Sequence, residues 1–451
     1  MRPSAWFLPA VCSALAFVCG AATRPRYGGA LRAEIRAAPD SFDPSAADAG
    51  PLAALVFEPL VRVDSSGAPQ PCLALSWRHD AASRRWLFNL RPGVKFHNGF
   101  GLVPAAVVAS LQAALPGWAV SPSGDAAVSI RASHPAPDLP LELAQTGLVC
   151  AHDAEGGLVG TGPFHMVSWE AGRRAVLAAN DAYWGGRPFL DSIEITLGRS
   201  LQAQMVDLEL GKTDIAEIAP AEVRRAADRG RSVWSTAPVN LVAMVFPAGR
   251  AEDQRLREAL ALSIDRASMI NVLVQKQGEA SAALLPQWLS GYAFAFPAAR
   301  DLAKAKALAE SLPASARNLT LAYESAVPGA RALAERIAVN ARDAGITIQV
   351  APQNAQADVR LVVKRIASLD ASSALSKLAS GLALESAAGN STPQSLFEAE
   401  RRLLEGYAVI PLFHLPELYG VAGRVRVYQP PAITRFGDWR FEELWLAGTA
   451  P

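Results

Sequence analysis

The sequence predicts an α/β protein of more than one domain, built on open sheets with a ligand crevice beyond the strand ends. Three observations predict it. The chain has 451 residues, more than a single compact core usually serves. Strand-like and helix-like segments alternate on both sides of a hairpin-rich stretch, the pattern of open α/β sheets. Residues 319–352 read as strand, helix, strand, which implies parallel strands joined by a right-handed crossover. Hydrophobic residues make up 51% and charged residues 19%, which fits a packed globular chain and excludes a disordered one. The net charge of +1 gives no whole-molecule field for a nucleic acid, and none is expected as partner. The basic stretch 221–231 reads as a solvated helix face.

The N-terminus has the order of an export signal. Arg2 precedes an apolar stretch over residues 5–18, and the small residues Gly20, Ala21 and Ala22 follow. That stretch is shorter than the ~20 residues a membrane span needs, and Pro9 interrupts it. Residues 1–22 are expected to leave as a signal peptide, with cleavage after Ala21 or Ala22. The alternative is lipid attachment at Cys19, for which Val18 is a poor preceding residue. The expected location is the periplasm, soluble or held only by that N-terminal lipid. Cys72 and Cys150 remain after cleavage; they either pair in the oxidising compartment or serve as two small buried hydrophobes.

Further along, residues 27–37 read as a strand, residues 38–51 break regular structure with Pro, Asp and Gly, and residues 52–63 read as a helix running into a strand. Trp86, Phe88 and Leu90 alternate before Arg91-Pro92-Gly93, with Val94 and Phe96 beyond, which predicts a hairpin turning at 91–93. Pro104 opens a helix. A loop, GLVGTGPF, leads into a strand pair turning at Ala171-Gly172. A strand in residues 190–198 is followed by a helix closed by Gly211. Asp253 is the expected N-cap of one helix carrying Leu256, Leu260, Ile264, Ile270 and Leu273. Residues 330–344 form a helix stopped by Gly345. Residues 368–393 read as a weak helix or a mobile loop, and residues 409–428 as extended chain.

Chemistry-bearing patterns are absent. His79, His97, His134, His152, His165 and His414 show no i, i+4 pairing of the kind helical metal sites use, so no metal ligand and no cofactor is assigned. No nucleophile elbow, Ser-x-x-Lys or P-loop stands in a supporting context, and no catalytic residue is assigned. Trp288 and Tyr292 sit in a Pro/Gly-containing loop, LLPQWLSGYAF, suited to presenting aromatic faces to a cleft. The plain alternative for them is packing of a surface loop.

Several segments, taken in order, resemble the family 5 extracellular solute-binding proteins, the oligopeptide, dipeptide and nickel receptors of ABC importers. They are YGGALR, FDP, VFEPLVRVDSSGAPQPCLALSW, WLFNLRPGVKFHNG, VPAAVVASL, GTGPFHMVSWEAGRRAVLAANDAYWGGRPFLDSIEI, RLREALALSIDRASMINVLV and AERRLLEGYAVIPLFH. The resemblance implies a two-lobed periplasmic-binding-protein fold of type II, cluster C-like, with an extra domain inserted in the first lobe. By this resemblance lobe I comprises residues 23–51, 160–236 and 395–451, the inserted subdomain 52–159, and lobe II 237–394. It also implies a small-molecule or peptide ligand, a permease of an ABC importer in the inner membrane as partner, and a monomer. Gly160 and Gly162 are expected to supply backbone freedom beside a hinge. The loop after Asp43-Pro44 is expected to offer backbone groups to the ligand through Ala46, Ala47, Asp48, Ala49 and Gly50.

One stretch departs from the family's pattern. Residues 350–397 are shorter than in the family and lack its aromatic-rich loop, and Asp370 is the acidic residue nearest the place of the family's amino-binding aspartate. The rival expectation is therefore an exported protein of the same fold with an altered site, acting in protein interaction or signalling.

Overall fold

The computed structural model describes residues 24–44, 50–82, 84–115, 117–131, 136, 138–351, 355–385 and 392–448. The export signal and Cys19 lie outside them. One sheet of 11 strands runs through the molecule. Its order is Phe164–Glu170, Arg174–Ala179, Ser192–Thr196, Ala30–Glu34, Ile215–Glu217, Val409–Val421, Ser232–Val245, Val359–Arg365, Asn318–Tyr323 and Thr347–Ala351, with Glu279–Ala280 also paired to Val409–Val421.

The sheet is mixed: its first three strands pair antiparallel, parallel pairs flank Ala30–Glu34 and Asn318–Tyr323, and the strands between those two groups pair antiparallel. Ala30–Glu34 is parallel to both of its neighbours, and Asn318–Tyr323 is parallel to both of its own. The expected strand–helix–strand unit is therefore present, with the helix Ala330–Asp343 between parallel strands. Its buried Leu333, Ala334, Ile337 and Ala341 recur at helical spacing, which is why that sequence forms an amphipathic helix on the sheet.

Two long antiparallel strands, Ser232–Val245 and Val409–Val421, join the halves. Their register shifts between Ser235 and Pro238, between Pro238 and Asn240, and between Val242 and Ala243. Pro238 faces Pro416 and Ala243 faces Pro411. Proline has no N–H to donate, so the ladder breaks at these pairs and the strands bend there.

Separate cores flank this junction. On one side Leu31, Phe57, Phe164, Ile193 and Trp439 pack together. On the other, Val242, Leu260, Leu321, Ile337 and Leu412 fill one face of the sheet, and Leu241, Leu285, Leu375 and Leu396 fill the opposite face. The helix Pro393–Leu404 buries Leu396 and Ala399 in this last cluster. The expected border at residue 395 thus cuts a helix that packs with lobe II, and the chain returns to lobe I only along Val409–Val421.

The inserted subdomain has its own four-stranded antiparallel sheet, ordered Ala74–Asp80, Arg85–Leu90, Ala127–Arg131 and Ala119–Pro122. Trp86, Phe88 and Leu90 are all buried, as their alternation predicted. The hairpin itself is elsewhere. Arg85–Leu90 pairs with Ala74–Asp80 through a turn before residue 85, and Arg91-Pro92-Gly93 takes the chain out of the sheet. Arg91 donates its N–H to Leu73 O at 2.7 Å and its Nε to Cys72 O at 2.9 Å, which ties the exit to the preceding strand.

Two further expectations are corrected. The helix after Asp253 is two helices, Gln254–Ser263 and Arg266–Val272, because Asp265 caps the second by accepting from Ser268 N at 2.9 Å. Residues 371–381 form a regular helix, Ala371–Gly381, capped by Asp370 through Ser373 N at 2.7 Å. Its alanines and leucines alternate at helical spacing, and Ala374, Leu375, Leu378 and Ala379 are buried.

Candidate ligand cleft

A cleft of about 2880 Å³ opens between the halves. Its floor is the junction strands, through Asn240, Leu415, Glu417 and Tyr419. One wall comes from lobe I and the inserted subdomain, including Arg36, Ala53, Ala54, Ser110 and Glu142. The other comes from lobe II, through residues 325–329 and the half-buried start of the helix Ala371–Gly381.

Charge in this cleft is largely committed. Arg36 donates its backbone N–H and its Nε to Glu217 Oε2 at 3.0 and 3.3 Å, and its Nη1 reaches across to Ala326 O at 2.6 Å. Burial pushes the Glu217 carboxyl up despite that arginine. Arg365 holds Glu417 Oε1 at 2.9 Å and the carbonyl of Phe436. Arg199 pairs with Asp207. Lys377 Nζ meets Glu142 Oε1 at 2.7 Å, and Ser368 Oγ donates to Glu142 Oε2 at 2.5 Å. Each cationic side chain in the described lining therefore already has a carboxylate. Asp138 and Asp370 add negative charge, and burial, with Asp138 and Glu142 nearby, pushes the Asp370 carboxyl up. Among the described residues, the wall from lobe II offers Asp370, Ser372, Ser373 and Ser376 but no aromatic ring.

The expected contact residues are placed as follows. Ala46, Ala47, Asp48 and Ala49 lie outside the described residues. Gly50 starts the helix Gly50–Val56. Asp43 and Pro44 before that stretch, and Ala53 and Ala54 after it, line the cleft. Trp288 and Tyr292 do not. Trp288 donates its indole N–H to Pro238 O at 3.1 Å and packs against Phe436, with ring centroids 5.3 Å apart. Tyr292 is buried beside Phe397 and donates its hydroxyl to Glu400 Oε2 at 2.8 Å. Packing is the role of both, because the short helix Gln287–Ser290 turns the loop inward.

Two features of the family-like motif have structural explanations that the sequence did not disclose. Glu58 is buried and accepts from Thr161 Oγ1 at 2.9 Å, Tyr183 Oη at 2.8 Å and Trp184 Nε1 at 2.7 Å, and it pairs with Arg62. The aromatic pair at the tight turn thus anchors a buried carboxylate. Arg91 lies 4.1 Å from the centre of the Trp184 ring, a cation–π contact. Gly160 and Gly162 are glycines for lack of space rather than for hinge freedom. A Cβ at Gly160 would stand 1.9 Å from Val56 O, and one at Gly162 2.7 Å from Leu55 O. Both glycines also hold His97. Gly160 N–H donates to Nδ1 at 3.3 Å, and Nε2 faces Gly162 O at 3.0 Å, so the ring is the neutral Nε2–H tautomer. Burial pushes His97 down to about 4.

Cys72 is buried, Cys150 is half-buried, and both are free. Burial pushes the Cys72 thiol up to about 12, and the Cys150 backbone N–H donates to Ser110 Oγ at 3.1 Å. Among the described residues no group of three or more His, Cys, Asp or Glu is arranged to hold a metal ion, and no helix is long and apolar enough to cross a membrane.

The fold and cleft meet their counterpart in a family model, that of the bacterial extracellular solute-binding proteins, family 5, which matches residues 68–376. The chain belongs to that family. It is 25% identical over 286 residues to the probable D,D-dipeptide-binding periplasmic protein of Escherichia coli (strain K12), covering 57% of this chain and 55% of that one. It is also 25% identical over 289 residues to the nickel-binding periplasmic protein of the same organism, again over 57% and 55%. The match therefore spans little more than half the length of these curated relatives. Among solved structures, the periplasmic binding protein DppA of Helicobacter pylori, in complex with a peptide, superposes with a TM-score of 0.78 at 17% identity, over 93% of this chain and 98% of that one. The family 5 chain thus has the two-lobed α/β fold that its ordered segments implied.

Proposed function

We propose that this family 5 chain is an extracytoplasmic receptor of an ABC importer, closing two lobes on a small peptide-like solute and presenting it to an inner-membrane permease. It performs no covalent chemistry and acts as a periplasmic monomer, free after loss of residues 1–22 or tethered through Cys19. Lobe I is residues 23–51, 160–236 and the chain beyond the middle of Val409–Val421, the inserted subdomain is 52–159, and lobe II lies between. One observation carries the reading: a cleft of about 2880 Å³ has walls from separate cores, with two long bent strands running between them.

The charge balance narrows the ligand. With the lining cations bound to carboxylates, and Asp138 and Asp370 in excess, the cleft suits a solute carrying a positive group, such as the free amino end of a short peptide. The family resemblance assigns to Ala46, Ala47, Asp48, Ala49 and Gly50 the role of offering backbone groups to the ligand. The rival, a protein of this fold that has given up its solute, has in its favour the absence of an aromatic ring on the lobe II wall.

A thermal-shift series separates the two. Di- and tripeptides, their N-acetylated forms, free amino acids, sugars and nickel are added to the purified chain. The receptor reading expects stabilisation by peptides with a free amino end, about 2.7 kcal/mol at a hundredfold excess over Kd, and less or none after acetylation. No stabilisation by any member of the panel would favour the rival.

A further inference from the structure

The contacts between Glu142, Lys377 and Ser368 join the inserted subdomain to lobe II, across one flank of the cleft. Glu142 lies in the helix Leu139–Thr146, and Lys377 in the helix Ala371–Gly381. Glu142 accepts from both Lys377 and Ser368, and its side chain is only 18% exposed against 37% for Lys377. An apolar seam lies beside it, in which Leu141 and Ala144 of the inserted subdomain meet Val239, Leu369 and Trp288. Elsewhere in the cleft lining, Arg36 of lobe I reaches Ala326 O of lobe II at 2.6 Å. The lobes are thus bridged at two places in the cleft lining.

The sign of the charge at this seam decides what the bridge does. Asp138 and Glu142 on one side act on Asp370 on the other as like charges, and Lys377 is the cation acting against them. With Lys377 in place the seam attracts. Without it three carboxylates face one another, and like charges at this range repel.

We propose that Glu142, Lys377 and Ser368 form a latch that holds the ligand-free chain closed, so that solute entry requires Lys377 to leave Glu142. The latch rests on the two-lobed receptor reading. It lowers the open population that admits solute, and with it the entry rate and apparent affinity.

The test uses the ligand-free full chain. Small-angle X-ray scattering gives the radius of gyration, amide exchange over 139–146 and 368–381 gives local opening, and thermal melting checks the fold. Lys377→Met is expected to expand the chain and speed exchange in both segments about fivefold, in the range of a partly exposed ion pair. Glu142→Gln, which leaves Lys377 beside the two aspartates, is expected to do less. The exchanged pair Glu142→Lys with Lys377→Glu is expected to restore both readouts. If Lys377→Met lowers melting so far that the chain unfolds, Ser368→Ala, which removes the donor to Glu142 and the acceptor of the Asp370 N–H while keeping Lys377, carries the same expectation for exchange. Folded variants with the parent's radius and exchange rates, or an exchanged pair as open as the single change, would overturn the latch. Peptide stabilisation of the parent in that case would leave the receptor reading intact.

Discussion

Glu58 shows how a residue of no chemical role comes to dominate a sequence motif. Its two oxygens take Thr161, Tyr183, Trp184 and Arg62 at once, so the motif's threonine, tyrosine and tryptophan are spent on one buried carboxylate. Glu58→Ala would leave Arg62 and three donors without their acceptor, a loss of about 3–5 kcal/mol by the measure of broken buried pairs. Urea denaturation checks it; a loss below about 1 kcal/mol would contradict this role. Titration adds a second expectation. Burial pushes Glu400 up to about 7, while it pushes His97 and His414 down to about 4. Folded Glu400 holds a proton that the unfolded chain releases near its ordinary value, so its contribution is full below about 4.5 and lost as pH rises through 7. The histidines act oppositely, contributing above about 6.5 and losing it as pH falls through 4. Between about pH 4.5 and 6.5 the two histidines outweigh the one glutamate, so these groups should make stability rise to about pH 6.5 and fall from there to about 7. Glu400→Gln should steepen the rise between about pH 4.5 and 6.5 and abolish the fall above it, read from denaturant midpoints, and an unchanged profile would contradict the assignment.

At the scale of elements, the sequence was most legible where local pattern and tertiary need agreed. The helix Ala330–Asp343, the strand pair turning at Ala171-Gly172 and the Pro104 helix all follow from periodicity and end signals. It was least legible where a distant partner decided. Arg91-Pro92-Gly93 has turn chemistry, but the strand that pairs with Arg85–Leu90 comes before it, held by Leu73 and Cys72 carbonyls. Periodicity runs straight through Ile264, and only the Asp265 cap splits the helix. Trp288 and Tyr292 sat in a loop with the composition of a binding loop, yet Glu400 and Pro238 draw them inward. No local signal distinguishes an aromatic aimed at a cleft from one aimed at a core. The Pro238–Pro416 pairing was equally invisible, because it needs the register of strands far apart in sequence.

For the whole molecule, the ordered segments were enough to imply the family and its two lobes, while the ligand wall was the part the chain had changed. The structure gives that change a form. In place of an aromatic loop, lobe II presents the start of the helix Ala371–Gly381, with Asp370 and serines toward the cleft. A solute is expected to occupy the space against this helix. Ser376 lines the cleft and is exposed, so Ser376→Trp should fill that space without disturbing the core. The most direct measurement is calorimetric titration, with stabilising peptides, of the parent chain and of Ser376→Trp at equal melting temperature. One ligand per parent chain, and affinity reduced at least tenfold (about 1.4 kcal/mol) in the variant, is the predicted result. Undiminished binding by the filled cleft would contradict it.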